Sequence, residues 1–178
     1  MEVFFCYQKG PSTFGMEILS NTKNSRPDYI REEALMISRI VVAIDGSEAA
    51  QRAVDFSVEL AKKFDARIDI VNVIQYPTIT YYDSDQSFYD SLVQRMTNTA
   101  SAKLDEAAAV VKDAEIAVDT HVLQGDARFV LADQVPEQLS PDLIVMGKTG
   151  TNIVMRVFMG STARYVSEHA ETSVLLVQ

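Results

Sequence analysis

From Arg39 to Gln178, short β-branched apolar runs alternate with longer stretches in which apolar residues recur every three or four positions. The runs are Ile40–Ile44, Ile68–Ile74, Ile116–Leu123, Leu143–Met146 and Ser173–Val177. Each is too short and too evenly apolar for a surface helix and has the length of a strand buried on both faces. Between the first two, Ala50, Ala53, Val54, Val58, Ala61 and Phe64 mark one face of a helix over Ser47–Phe64, with Ser47 placed to cap it. Leu92, Met96, Ala100, Leu104, Ala107, Ala108 and Val111 predict a long helix over Phe88–Lys112, after a tyrosine-bearing loop, Gln75–Ser87. A third helix, Asp126–Gln138, opens on an Asp cap, and Pro136 is expected to end or distort its last turn. A fourth, Val154–His169, bridges the last two runs.

This alternation predicts an α/β fold: a five-stranded parallel sheet with helices on both faces. Right-handed crossovers make a flavodoxin-like strand order, 3-2-1-4-5, the simplest arrangement. Residues 1–35 have a different texture, since Gly10-Pro11-Ser12-Thr13, Asn21 to Ser25 and Pro27 interrupt any period. They read as an N-terminal extension, poorly structured or loosely packed, ahead of one domain spanning 36–178; because Met36 would make a natural chain start, the tail is either a genuine extension or an upstream start choice.

Composition narrows the function classes. With 47% hydrophobic and 23% charged residues the chain has the balance of a water-soluble globular domain. Its opening residues lack the basic region and cleavage site of a secretory signal, and the apolar runs are too short to span a bilayer, so a cytoplasmic location is expected. The single cysteine, Cys6, agrees with a reducing compartment. A net charge of −9 argues against nucleic acid or an anionic membrane as partner. It also means that a polyphosphate has to be held by local backbone donors, a helix N-terminus and an accompanying cation.

In such a sheet, ligands bind at the carboxyl ends of the first and fourth strands. Those ends read Ala43-Ile44-Asp45-Gly46-Ser47 and Val145-Met146-Gly147-Lys148-Thr149-Gly150. Gly147 and Gly150 let backbone N–H groups approach an anion without Cβ obstruction. Nine residues later Gly160-Ser161 stands where a helix begins, supplying a hydroxyl and N-terminal amides. Singly, these glycines are turn formers and Ser161 a cap; their joint spacing points to phosphate binding.

The chain from Met36 to Gln178 resembles the universal stress protein family, whose ATP-binding members carry Gly, two residues, Gly, nine residues, then Gly-Ser or Gly-Thr. Gly147, Gly150, Gly160 and Ser161 match that pattern, and Ile40 to Glu48 is similar to the family's first strand and turn. The resemblance implies an adenine-nucleotide α-hydrolase-like fold and an ATP-binding regulatory or stress-response protein, with Mg²⁺ arriving on the nucleotide. It places the adenine near strands 1 and 2, with Asp45 near the adenosine part and main-chain groups around Val73 at the base edge, and the phosphates over Gly147, Gly150, Gly160 and Ser161; Ala43, Ile44, Met146 and Thr162 complete the implied binding residues. Asp45 also has the reading of a turn or cap residue. The alternatives are an interaction module of the same fold without nucleotide, or a slow nucleotide hydrolase. The resemblance further implies a homodimer through Ser173–Val177, a final strand whose apolar edge calls for a cover.

Three similar patterns fail. Gly147-Lys148-Thr149 imitates the end of a phosphate-binding P-loop, but Asp142 stands where its first glycine belongs. The turn at Asp45 has neither the Gly-x-Gly-x-x-Gly of a dinucleotide site nor the Ser-Gly-Gly loop of ATP pyrophosphatases. Lys148 is either a phosphate partner or a solvated lysine. His121 and His169 have no nucleophile at a recognisable spacing, so no catalytic residue is assigned and at most weak ATPase activity is expected. No zinc-type ligand cluster is present in the sequence. Tyr76, Tyr81, Tyr82, Phe88 and Tyr89 read as packing over the sheet edge or as a partner site.

Overall fold

The computed structural model describes residues 3–8, 14–18, 37–75, 86–150 and 159–178. In chain order the elements are β1 (Val3–Gln8), β2 (Phe14–Ile18), β3 (Arg39–Ala43), α1 (Glu48–Phe64), β4 (Arg67–Ile74), α2 (Gln86–Asp113) and β5 (Val118–Gln124). Two short helices follow, α3 (Ala127–Phe129) and α4 (Val135–Leu139), joined by a π-helical turn (Val130–Gln134). The chain finishes with β6 (Leu143–Gly147), α5 (Ser161–His169) and β7 (Ser173–Val177).

The strands form one sheet in the order β2-β1-β7-β6-β3-β4-β5. The five from β3 to β7 are parallel, with Ile40 opposite both Ile68 and Leu143, Ile70 opposite Thr120, and Val145 opposite Leu175. Numbered among themselves they run 3-2-1-4-5, as the crossovers predict.

Strand alternation sends Ile40, Val42 and Ile44 to one face, where they pack with Ala53, Val54 and Val58 of α1 and Leu104, Ala108 and Val111 of α2. Val41 and Ala43 face the other side, against Val130, Leu131 and Val135 and against Ala163 and Val166 of α5. Because both faces are covered, β3 and β6 are apolar at consecutive positions, Ile40–Ala43 and Leu143–Met146, rather than at alternate ones. Ile40, Ile68, Ile70 and Ile144 are completely buried, each stabilising the fold by roughly 1.5–3 kcal/mol relative to exposure.

Ser47 caps α1 by accepting from Ala50 N–H at 3.1 Å, and Asp126 accepts from Arg128 N–H at 3.0 Å. The helical segment after Asp126 passes through Pro136 and runs to Leu139. The distortion lies just upstream: Pro136 has no N–H for the preceding turn, and Val135 N–H reaches back five residues to the Val130 carbonyl, which opens the π turn. Of the helix expected over Val154–His169 the structure shows Ser161–His169, and residues 151–158 lie outside the described residues. Tyr76, Tyr81 and Tyr82 also lie outside them, whereas Phe88 and Tyr89 belong to α2.

The main difference from expectation is in residues 1–35, which contain two strands. β1 pairs antiparallel with β7, Val3 opposite Val177 and Cys6 opposite Val174, and β2 pairs antiparallel with β1. The β7 edge that the sequence assigns to a second copy therefore carries a strand of the same chain. Val3-Phe4-Phe5-Cys6-Tyr7 has the composition of a strand, and an apolar edge takes up whatever extended segment reaches it. Among the described residues no helix is long and apolar enough to cross a membrane.

Candidate functional site

β3 connects through α1 to β4 on one side, while β6 lies on its other side. The connections leave in opposite directions and a crevice opens at the carboxyl ends of β3 and β6. There the described residues line a cleft of about 220 Å³. All ten residues singled out in the sequence border it: Ala43, Ile44 and Asp45 at the end of β3, Val73 on β4, and Met146 and Gly147 at the end of β6. Gly150 follows in the next loop, and Gly160, Ser161 and Thr162 open α5.

The β3–α1 turn is held from several sides. Asn72, buried in β4, donates through Nδ2 to the Ile44 carbonyl at 2.8 Å, and Lys103 Nζ of α2 donates to the Asp45 carbonyl at 2.8 Å. Gly46 turns at φ +88° directly beneath the Lys103 stem, where a Cβ would lie 2.9 Å from Lys103 Cε. The Asp45 side chain accepts from Ser47 N–H at 2.9 Å, the contact of a turn residue. Its other oxygen points across the cleft to within 2.8 Å of where a Cβ on Gly150 would stand. Asp45 thus performs the turn role and faces the cleft as well.

The two glycines of the loop after β6 are glycine for different reasons. A Cβ on Gly147 would stand 2.9 Å from the Ala49 carbonyl carbon and 3.0 Å from Ala50 N, so this glycine admits the first turn of α1 against the end of β6. Among the described residues a Cβ on Gly150 would meet the Asp45 carboxylate alone, so here the open space belongs to the cleft. The loop is anchored by Lys148 N–H donating to the Val177 carbonyl at 2.7 Å and by Gly160 N–H donating to the Lys148 carbonyl at 2.8 Å.

Gly160 is the N-cap of α5 and brings no side chain to cap it. The first bond inside the helix runs from Arg164 N–H to the Gly160 carbonyl, so the amides of Ser161, Thr162 and Ala163 have no acceptor within the helix. They are donors at the positive end of a helix dipole, beside the cleft. The opposite wall is apolar: Val71, Val73, Ala127, Leu131 and Met146 offer a surface for a flat, weakly polar group.

Sequence reasoning missed Val71, Ala127 and Leu131. Val71 is one strand repeat from Val73 and was within reach of the same alternation. Ala127 and Leu131 reach the cleft through the π turn, which no local pattern announces. Ser47, read only as a cap, also donates to the Thr149 carbonyl at 3.5 Å and links the two strand-end loops.

The histidines lie elsewhere. His121 sits in β5 with Nε2 2.8 Å from Asp69 Oδ1, at the amino-terminal half of the sheet. Asp69 is completely buried and is also reached by Arg39 Nε at 2.8 Å and Arg67 Nε at 3.3 Å; Arg67 in turn pairs with Asp119. Burial alone would raise the Asp69 carboxyl, but hydrogen bonds from Arg39 and His121 and the two guanidinium charges outweigh it and hold its pKa below the usual carboxylate range. Nearby, burial likewise opposes and the Ser38 and Arg39 N–H donors overcome, so Asp142 is also held low. His169 stacks on Tyr165 with ring centroids 4.0 Å apart, beyond the cleft. Among the described residues no group of three or more His, Cys, Asp or Glu side chains is placed to hold a metal ion.

Comparison with known proteins agrees with this architecture. The sequence pattern of the universal stress protein family matches residues 36–178. A Staphylococcus haemolyticus protein named for that family is 30% identical over 146 residues, covering 81% of this chain and 86% of its own. The solved structure of universal stress protein UspA from Lactobacillus plantarum superposes with a TM-score of 0.71 at 26% identity, over 80% of this chain and 98% of that one. A universal stress protein solved in complex with cAMP shares the fold at a TM-score of 0.60 and 23% identity, over 80% of this chain and 97% of that one. With the matched region running from Met36 to the last residue, the chain belongs to the universal stress protein family.

Proposed function

We propose that this protein binds an adenine nucleotide, ATP with Mg²⁺, in the cleft between β3 and β6 and acts as a nucleotide-responsive regulator in the stress response. The observation that carries the reading is the convergence of the spaced glycines, the uncapped start of α5 and the strand-end turn on one cleft. The apolar wall of Val71, Val73, Leu131 and Met146 suits the base, and the Gly147–Gly150 loop with Ser161 and Thr162 suits the phosphates. Asp45 projects a carboxylate toward Gly150 in a chain of net charge −9, so a divalent cation accompanying the phosphates offsets repulsion there. The cAMP complex of a fold relative supports the adenine class. Asp45 and Lys148 are the ionisable groups on the described cleft wall. With no base and nucleophile paired beside them, hydrolysis is slow or absent in this reading.

Thermal unfolding with and without ATP and Mg²⁺ tests it. A ligand at a hundred times its Kd stabilises the folded state by about 2.7 kcal/mol, which raises Tm by roughly 5–10 °C in a domain of this size. Gly150→Val is expected to remove that rise, because the side chain meets Asp45 and fills the approach to the loop, while the melting temperature without nucleotide changes little. A folded wild type that millimolar ATP leaves unshifted would identify the chain as an interaction module without nucleotide. Mass spectrometry of the small molecules released on denaturation names the ligand.

A further inference from the structure

We infer that the β1–β2 hairpin stands where a second copy of this chain would otherwise pair, so that docking of the hairpin and assembly through β7 exclude each other. β7 is the last of the parallel strands, and Val174, Leu175, Leu176 and Val177 are buried in the two cores, one on each face of the sheet. The outward N–H and C=O groups of β7 have no partner within the parallel sheet. β1 meets that need over Val174–Val177, which leaves no stretch of β7 long enough for another strand.

β7 of a second copy can take the place of β1, pairing antiparallel with β7 through a two-fold axis as β1 does, with no new complementary surface required. The hairpin is separable from the domain. Its principal contact with other described elements is the β1–β7 pairing, and a two-stranded hairpin has little stability of its own. Residues 19–38 tether it to β3, giving an effective concentration on the order of millimolar. Against that, a second copy at micromolar concentration loses by roughly a hundredfold or more when the two strands pair equally well. The outer edge thus passes from apolar β7 to β2, Phe14-Gly15-Met16-Glu17-Ile18, which is short, carries a charge and contains glycine, and so is a poor template for further pairing.

The register supplies the test on the full chain. Cys6 lies opposite Val174, and opposed residues of an antiparallel pair have Cα atoms about 4.5–5.5 Å apart, within the range a disulfide bridges. In Val174→Cys, oxidation is expected to join Cys6 to the introduced thiol within one chain and to hold the protein monomeric by light scattering. Phe4→Pro with Phe5→Pro removes neighbouring N–H groups, one of which faces β7. The released variant is expected to be folded and dimeric at tens of micromolar, with β7 amides still protected from exchange. If the double variant does not fold, reduced and oxidised Val174→Cys are compared at millimolar chain, where a second copy matches the tether; a dimer is expected in the reduced form alone. Failure of the intramolecular disulfide to form, a disulfide between chains, or the same oligomeric state in locked and released forms overturns the inference.

Discussion

The two ends of the same five parallel strands are built in opposite ways. At the amino ends of β3 to β6, charged groups are paired: a buried Asp69 is hydrogen-bonded by Arg39 and His121 and ion-paired with Arg67, and Asp142 takes three donors from Ser38 and Arg39. At the carboxyl ends of β3 and β6, glycine keeps space open and the first amides of α5 have no acceptor in their own helix. The sheet is continuous between them, so the difference arises from which side chains the sequence places at the strand ends. Matched charge fixes geometry and leaves little to offer a ligand, whereas donors held rigidly and left open are what an anion requires.

The largest effect that would test this contrast is expected from Asp69→Ala. Removing one partner of a buried ionic group costs about 3–5 kcal/mol, and because Arg39 and Arg67 are about a third exposed to water the loss should fall near 3 kcal/mol. Urea unfolding measures it, and the Tm rise with ATP should survive in the variant. A loss below about 1 kcal/mol would mean that the amino end is not a stabilising device. Gly147→Val comes next: its branched side chain enters the Ala49–Ala50 backbone, and overpacking of that kind costs about 1–3 kcal/mol. Unlike Gly150→Val it should lower Tm and nucleotide affinity together. A variant that loses affinity at unchanged Tm would assign Gly147 to the ligand rather than to α1.

The smallest effect is in pH. The folded pKa of Asp69 lies below the ordinary value of about 3.9, so the folded state binds its proton less readily than the unfolded chain. The stability this contributes is fully present above the unfolded pKa and is lost as pH falls from about 4 through the folded value. Asp126, hydrogen-bonded by Arg128 through side chain and backbone and held at about 2, adds to the same acid limb at the surface. Asp69→Asn should therefore flatten the decline of stability below pH 4 relative to wild type, as followed by circular dichroism. Parallel curves would show that other carboxylates govern acid unfolding.

The carboxyl end was legible in the sequence and the amino end was not. Glycine spacing, a cap and a strand end are local signals, and Gly147, Gly150, Gly160, Ser47 and Asp45 carry their meaning within a few residues. Asp69 in β4 reads only as a charge inside an apolar run. Its partners are fixed by register, which places Arg39 opposite Arg67 and Asp69 opposite Asp119, and register emerges only when three strands from distant parts of the chain assemble. The hairpin escaped notice for a related reason. Val3 to Tyr7 has strand composition, yet the neighbouring Gly10-Pro11-Ser12-Thr13, which lies between two strands, looks the same in sequence as an unstructured tail.

The π turn at Val130–Gln134 makes one wall of the cleft sensitive to chain length as well as to residue type. Deleting one residue there would let ordinary i to i+4 bonding resume and would rotate the preceding turn by about 100° relative to α4. Ala127 and Leu131, which line the cleft from that turn, would swing off it although neither had been replaced. Among relatives of this protein, a single-residue gap in this short segment is therefore expected to mark an altered pocket more reliably than a change of one aliphatic side chain for another.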